Sequence, residues 1–583
     1  MVFFLLALLV AAVGITPLFL AGTLPRVKRG RVAAALGTVY LLISWLVCWS
    51  LMPSLAYPLL GGAIVLVIIF SAISSAINFS KFAVAVPATL VVVLAGYSWL
   101  STAAIWHSRA YAALIGPMAD DRSIKHWSQD VAPIDPKHIR LVPEETAIAL
   151  AKTSLNQNAT NGSQASVGSQ FDIDDAHITL QKVQDKMLYV IPLDYRGLGA
   201  YWNTEGIPGF IIVNAEDPQA KPVFVEKSLM RYSPESYFEH NLQRHLYTHG
   251  YYNKVLTDYS FELDDQMKPK WVITICEPSI GYSGLKVLGV AIVDPLTGAI
   301  DFKPANAVPA WVDRVFPEEV IQSYLADWGD YSRGWWNSVW AHLNQKAPES
   351  LTLNYGSDGK CYYVTPMTSA NATDASMTDL IYTDTRTGIS KRYIVAGTTE
   401  EHLLAAVTTK LGYQHLYGNS VIYENVYGRM TAIISVLGED GSYRGVAFVD
   451  VTNKSILAYD MNPLNALHAY QTLLSQSGGQ IATDNAGALR TITTTIGRLN
   501  FEQTQNGLQL DIYIDSIPHA FYVNCSQFQS APFAHAGDNV VLSYYETPSA
   551  GISVIEFVDK EVKITLSDNQ SAVKAQVVDS VAK

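Results

Sequence analysis

The sequence predicts a membrane-anchored α+β protein in three parts: an N-terminal four-helix transmembrane anchor, an extracytoplasmic α+β region of internal repeats, and a C-terminal small β-barrel. Three observations predict it. Residues 1–105 hold five basic residues (Arg26, Lys28, Arg29, Arg31, Lys81) and no Asp or Glu. A hairpin-like stretch, clearest in "AIVDPLTGAI" (291–300), recurs through the middle of the chain. The segment 489–566 reads as five short strands. At 583 residues the chain is too long for a single core.

The anchor rests on four apolar runs, about 2–22, 33–52, 58–78 and 82–105. Each is near the length a helix needs to cross a hydrocarbon layer of about 30 Å. The first run lacks the leading basic residue of a signal peptide, and the basic cluster follows it, so it is read as a retained span. Four basic residues at 23–32 put that loop in the cytoplasm; the uncharged "MPSLAYP" lies outside, and the loop with Lys81 inside again. The chain is therefore expected N-out/C-out; in a bacterium that puts it in the cytoplasmic (inner) membrane, with a periplasmic or extracellular domain. No charge sits mid-span, which disfavours an ion path.

A net charge of −12 argues against nucleic acid, whose phosphates demand a basic face. Cys48 lies in an apolar run. Cys276, Cys361 and Cys525 are far apart without CxxC spacing, which leaves room for one disulfide and none for a cysteine zinc site. The expected partners are the lipid bilayer and either further copies of the chain or another envelope protein. No cofactor is implied.

Residues 106–140 read as a linker. "PEETAIALAKTSL" (143–155) opens a helix, with Pro143 and two glutamates in its first turn. A polar low-complexity loop follows at 156–170. Four times thereafter an apolar strand, a polar loop and a second strand end in Asn or Asp and a turn: Asn214, Asp294, Asp384 and Asp450. Thr297-Gly298 and Thr387-Gly388 complete two of these turns. The acidic or amide side chain accepts from backbone N–H groups two residues on, and Gly298 and Gly388 supply the positive φ. These residues are thus read as structural turn-formers, in repeats 1 and 2 over 141–310 and repeats 3 and 4 over 311–475.

The strand–"VDPLTG"–strand pattern after a helix such as "EETAIALA" resembles the PepSY-type repeats of bacterial envelope proteins. Phrases such as "VPAWVDRVFPEEV" and "LADWGDYSRGWWNS" also resemble a family of large bacterial multi-span membrane proteins. The PepSY resemblance implies an extracytoplasmic α+β module tied to peptidase inhibition or protein–protein regulation, and no catalytic residue. In 489–566 the "GD-V-L" element before a strand resembles a small OB-like barrel. The tail 567–583 is polar.

Three stretches carry candidate chemistry. In "HNLQRHLYTHGYY", His245 and His249 share a helix face, with His240 less squarely placed. That suits either a metal site or the wet side of an amphipathic helix. "DWGDYSRGWWNSVW" gathers Trp328, Arg333, Trp335, Trp336 and Trp340, as an interface anchor or as packing that seals a junction between repeats. Glu262, Asp264 and Asp265 of "ELDD" read as a solvated turn rather than a Ca²⁺ site. "AGTTEE" (396–401) reads as a helix N-cap. No nucleophile or phosphate motif survives a context check. The function expected is a non-enzymatic scaffold or assembly subunit of an envelope or surface structure. The alternatives are a regulator of an envelope peptidase and, further off, a metal-dependent envelope enzyme.

Overall fold

The computed structural model describes residues 2–19, 25–57, 62–78, 85–121, 127–128, 130–136, 138–158, 167–356, 359–370, 376–476, 489–504, 507–517, 519–525, 528, 530–545 and 551–562. The expectations for Lys81, for 159–166 of the polar loop and for the tail 567–583 lie outside these residues. The chain divides into two compact units: 1–124 with 140–396, and 125–139 with 397–583.

The first unit opens with helices α1 (Val2–Ile15), α2 (Arg26–Leu51), α3 (Gly62–Asn78) and α4 (Ala85–Thr102). Among the described residues α2 alone, over Val27–Leu51, is long and apolar enough to cross a membrane; Phe3–Leu18, Val65–Ile77 and Val91–Thr102 are shorter apolar helices. Of the four apolar runs of the sequence, one is thus a full-length candidate span among the described residues; Pro17 falls in the 3₁₀ turn Thr16–Leu18 that follows α1. The Tyr40 ring stacks on Phe70 at 4.0 Å. Gly14 lets α1 approach α3, since a Cβ there would lie 2.6 Å from that of Phe70.

Helix ends and β-rich region meet at several points. Phe3 of α1 lies 6.3 Å, ring to ring, from both Trp49 and Tyr247. Arg244 places its guanidinium 4.4 Å over the Trp49 ring and donates to the Trp49 carbonyl at 3.0 Å. Leu55 N–H donates to the Tyr252 carbonyl at 2.8 Å. Helix α5 (Ala104–Ala112) follows α4 after the extended Ala103. The Tyr111 hydroxyl reaches back to the Thr102 carbonyl at 2.7 Å. Within the stretch expected as a linker, α5 is followed by a short strand, Ala119–Asp121, parallel to Lys391–Tyr393. In the second unit Asn425 holds the carbonyls of Ser128 and Val131.

Beside a two-stranded pair, Phe171–Ile173 with Leu193–Tyr195, the first unit holds three larger sheets, antiparallel except where Ala119–Asp121 joins the third. The first is β1 (Thr179–Val183), β2 (Lys186–Ile191), β3 (Ile207–Asn214) and β4 (Val223–Met230), in that order. The second is a meander of β5 (Val255–Leu263), β6 (Pro269–Ile280), β7 (Ser283–Val293) and β8 (Ile300–Pro304). The third holds β9 (Lys346–Pro348), β10 (Thr352–Tyr355), β11 (Cys361–Ser369), β12 (Ser376–Asp384) and β13 (Ser390–Tyr393). The second sheet is buried on both faces, which explains its unbroken apolar runs. Side chains alternate across a strand. Trp271, Ile273, Ile275, Ala291 and Val293 join the core shared with the first sheet. Their alternates Val272, Cys276, Val290 and Ile292 join the core shared with the third.

Short helices α6 (Glu144–Asn158), α7 (Leu242–Leu246) and α8 (Glu318–Tyr331) precede the three sheets. Each is pinned to the turn closing its own sheet. Leu141 and Val142 N–H donate to the Ala215 carbonyl, Arg231 and Tyr232 to Pro295, and Val315 and Phe316 to Thr385. In the second unit Thr398 N–H donates to Val451, just before α9 (Glu400–Leu411). The accepting carbonyl always belongs to the residue after Asn214, Asp294, Asp384 or Asp450.

The second unit contains a fourth antiparallel sheet, β14 (Leu416–Val426), β15 (Arg429–Gly438), β16 (Tyr443–Asp450) and β17 (Leu457–Asp460), followed by α10 (Pro463–Gln476). The Tyr470 hydroxyl bonds Thr431 at 2.8 Å, and its ring stacks on Phe448. The C-terminal strands are β18 (Leu489–Thr495), β19 (Arg498–Thr504), β20 (Gly507–Tyr513), β21 (Ala520–Asn524), β22 (Asn539–Tyr545) and β23 (Gly551–Asp559). They form one ladder in the order β18-β22-β23-β21-β20-β19, with β21 and β23 parallel. The closed small barrel expected here is not found by strand pairing among the described residues. The ladder ends on β18 and β19 because the chain changes partner between them: Ile496 N–H donates to Asp538, and Gly497 N–H to Tyr513. Leu510, Ile512, Phe521, Val540 and Leu542 fill the enclosed core. All four cysteines are free and buried.

Candidate functional site

The histidine stretch folds around a turn. Asn241 caps α7 by accepting from Arg244 N–H at 3.0 Å, and the helix ends in an irregular turn where Gly250 has φ +107°. His245 Nε2 lies 2.7 Å from the Gly298 carbonyl, and His240 Nδ1 2.7 Å from the Tyr201 hydroxyl. The Tyr232 ring contacts both imidazoles, at 4.6 Å from His245 and 5.1 Å from His240. His249 and His245 lie 4.3 Å apart, ring to ring. Burial pushes His240 and His245 below the usual imidazole range; Glu239 opposes this at His240, and the Gly298 carbonyl at His245. Neutral imidazoles are suited to ligation. Among the described residues, however, no group of three or more His, Cys, Asp or Glu is placed to hold a metal ion. The contacts that the structure does show bind this helix to the 294–298 turn.

The turn residues act as local acceptors. Asp294 takes N–H groups from Leu296 and Thr297, both at 3.0 Å, and Asp384 takes them from Arg386 and Thr387, both at 2.9 Å. Asn214 takes Glu216 and Asp217, and Asp450 takes Thr452 and Asn453. Gly298 and Gly388 have φ of +72° and +68°. A missed sequence signal accompanies them: a basic residue stands at the start of one inner strand of each of the four sheets, where Lys186 opens β2, Arg429 opens β15, Lys270 is the second residue of β6 and Lys360 directly precedes β11. Lys270 pairs with Asp294 at 2.5 Å and Arg429 with Asp450 at 2.8 Å. The spacing between the partners, 24 residues in the first pair and 21 in the second, hid both pairs.

The tryptophan-rich stretch divides in two. Trp328, on α8, packs against the core between the second and third sheets, with the Arg392 guanidinium 5.3 Å over its ring. Arg392 in turn bonds the fully buried Asp379, which Lys346 also pairs with. Beyond α8 the chain turns at Gly334, φ +84°, into an irregular loop. Asn337 ties that loop together by exchanging two 3.1 Å hydrogen bonds with the backbone of Leu343. Trp335 meets Trp336 edge-on at 4.6 Å, and Trp336 stacks on Trp340 at 4.5 Å. Trp336 is 57% exposed, Trp340 71% and Leu343 61%, and Arg333 is exposed beside them.

The "ELDD" stretch also divides. Asp264 accepts from Gln266 and Lys268 N–H in an exposed turn. Glu262, expected in that turn, is fully buried. Strand alternation aims it inward, where Ser260 donates to it at 2.8 Å and Asp313 N–H at 3.3 Å. Burial, reinforced by Asp313, pushes its pKa up to about 8. Asp313 accepts from the Tyr355 hydroxyl and Lys182 N–H, so this network laces all three sheets of the unit together. Perturbed carboxyls mark functional sites and buried structural networks alike; the contacts here serve packing. Thr399 precedes α9 as its cap residue, and its hydroxyl bonds His402 rather than a backbone N–H.

No family model matches the chain, and no curated protein matches it. Solved structures give distant likenesses. The C-terminal domain of YpeB from Bacillus megaterium is similar at 12% identity, over 45% of this chain and 100% of that one, with a TM-score of 0.11. A protein of unknown function from Dyadobacter fermentans is similar at 9% identity, over 66% of this chain and 93% of that one, with a TM-score of 0.17. Likenesses this low place no constraint on the fold.

Proposed function

We propose that this chain is a non-enzymatic integral membrane protein of a bacterial envelope, a scaffold or assembly subunit that associates with copies of itself. Its four N-terminal helices cross the cytoplasmic membrane N-out/C-out and hold the β-rich region outside. The sheets with their clasped turns are copies of a PepSY-like repeat. The C-terminal strands are an OB-like barrel, in which β18 and β19 act as one long bent strand.

One observation carries this reading. The start of α1, the end of α2 and the end of α4 all lie against extramembrane residues, through Phe3, Trp49 and Thr102. Helices in that arrangement alternate direction with both chain ends on one side, and the basic 26–31 cluster falls at the other end of α2. Behind these contacts the second sheet is clamped on both faces, so the extramembrane part of this unit is rigidly seated, as a structural subunit requires. The test is the oligomeric state of the full chain, imaged in native membrane vesicles and weighed in mild detergent. Ordered assemblies are expected. A strict monomer in both settings overturns the proposal.

A further inference from the structure

We infer that the loop 334–343 is a membrane-interface anchor, which seats Trp336, Trp340 and Leu343 in the headgroup layer of the bilayer that α4 crosses. The inference rests on the membrane reading above and adds a second point of attachment to it.

Tyr111, at the end of α5, stays within a side chain's reach of Thr102, the last residue of α4. The Tyr331 ring, at the end of α8, lies 6.1 Å from that of Tyr111. The tryptophan loop begins three residues later. A short chain of contacts therefore connects the loop to the point where the α4 segment leaves the membrane. Exposed large apolar side chains in one patch mark an interaction site. Indole rings favour the level of the headgroups, where an apolar body and a polar N–H are both satisfied. Residues 331–345 contain no Asp or Glu, and Arg333 is their exposed cation, which suits an anionic leaflet. The Asn337–Leu343 hydrogen bonds hold the loop in one shape, so the exposed rings need no folding step on contact with lipid.

The test uses the full chain in liposomes of phosphatidylcholine and phosphatidylglycerol, with a nitroxide attached at Trp340→Cys, Leu343→Cys or Leu46→Cys. The four native cysteines are buried, which favours labelling at the introduced site. The reading is the ratio of collisions with oxygen to collisions with a water-soluble nickel chelate. Labels at 340 and 343 are expected to show a ratio raised above that of a label in water and below that of Leu46, which is 62% exposed on α2 and should lie in the acyl chains. If Leu46 reads as lipid while 340 and 343 read as water, the inference fails alone. If Leu46 itself reads as water, the membrane reading fails and this inference with it. Spin–spin broadening at 340 and 343 would show that the loop meets a second copy instead, and would also overturn the inference.

Discussion

In the turn at 294–298, Asp294 gathers two backbone N–H groups and Gly298 closes the loop beneath the Tyr232 ring. The turn at 384–388 repeats this under Phe316. At 450–456 the Asp is kept, but no glycine follows; the loop is longer, closing from Asp450 N–H to the Ile456 carbonyl, and Asp450 is fully buried against Arg429. All these turns offer the same carbonyl to the segment that starts a helix. The clasp is the constant feature. Its closure is met in two turns by a left-handed glycine packed against an aromatic ring, and at 450–456 by a loop one residue longer around a fully buried Asp450; Asp294 and Asp450 both carry an ion pair, to Lys270 and Arg429.

The glycine form is expected to break hardest. A Cβ at Gly298 would lie 2.4 Å from Cζ of Tyr232, and one at Gly388 2.7 Å from the Phe316 ring. Gly298→Ala and Gly388→Ala should each cost about 1–2 kcal/mol for the left-handed backbone, with a further cost of about 1–3 kcal/mol for overpacking. The unfolding midpoint in denaturant measures this, and no loss at either site would mean that the ring contact is dispensable.

Asp450→Asn separates charge from turn geometry, because Asn214 already makes the same turn as an amide. Loss of the charge-assisted bonds to Arg429 should cost about 1.5–3 kcal/mol. Asp294→Asn should cost less, about 0.2–1 kcal/mol, since its pair with Lys270 keeps some solvent. Equal losses by thermal or denaturant unfolding would erase the distinction between the two closures.

The smallest effect is one of pH. Burial opposes ionisation of Asp294, but the Lys270 ammonium and the Thr297 and Leu296 N–H groups outweigh it, holding the carboxyl below its ordinary range. A depressed folded pKa stabilises above the unfolded value, about 3.9, and that contribution is lost as pH falls through the folded value. Acid titration of stability should therefore be shallower in Asp294→Asn than in the unaltered chain below that range; identical curves would rule out this contribution.

The Asp and Gly turn residues were legible because a turn is made by neighbours in the chain. The same holds for the helix at 144–158, with its glutamates in the first turn, and for the apolar α2. Tertiary structure decided the rest. Glu262 and Asp264 are two residues apart, yet one is sealed among three sheets and the other caps an exposed turn. Trp328 and Trp336 stand in one aromatic phrase, yet the first packs under Arg392 and the second faces outward. Ile496 and Gly497 are adjacent, yet their N–H groups serve opposite ends of a ladder. Local sequence by itself determined the turns, the helix starts and the apolar segments, since those depend on φ, side-chain reach and hydropathy over a few residues. Which face is covered, which strand is the next partner, and which carboxyl or indole meets solvent depend on surfaces brought together from far along the chain.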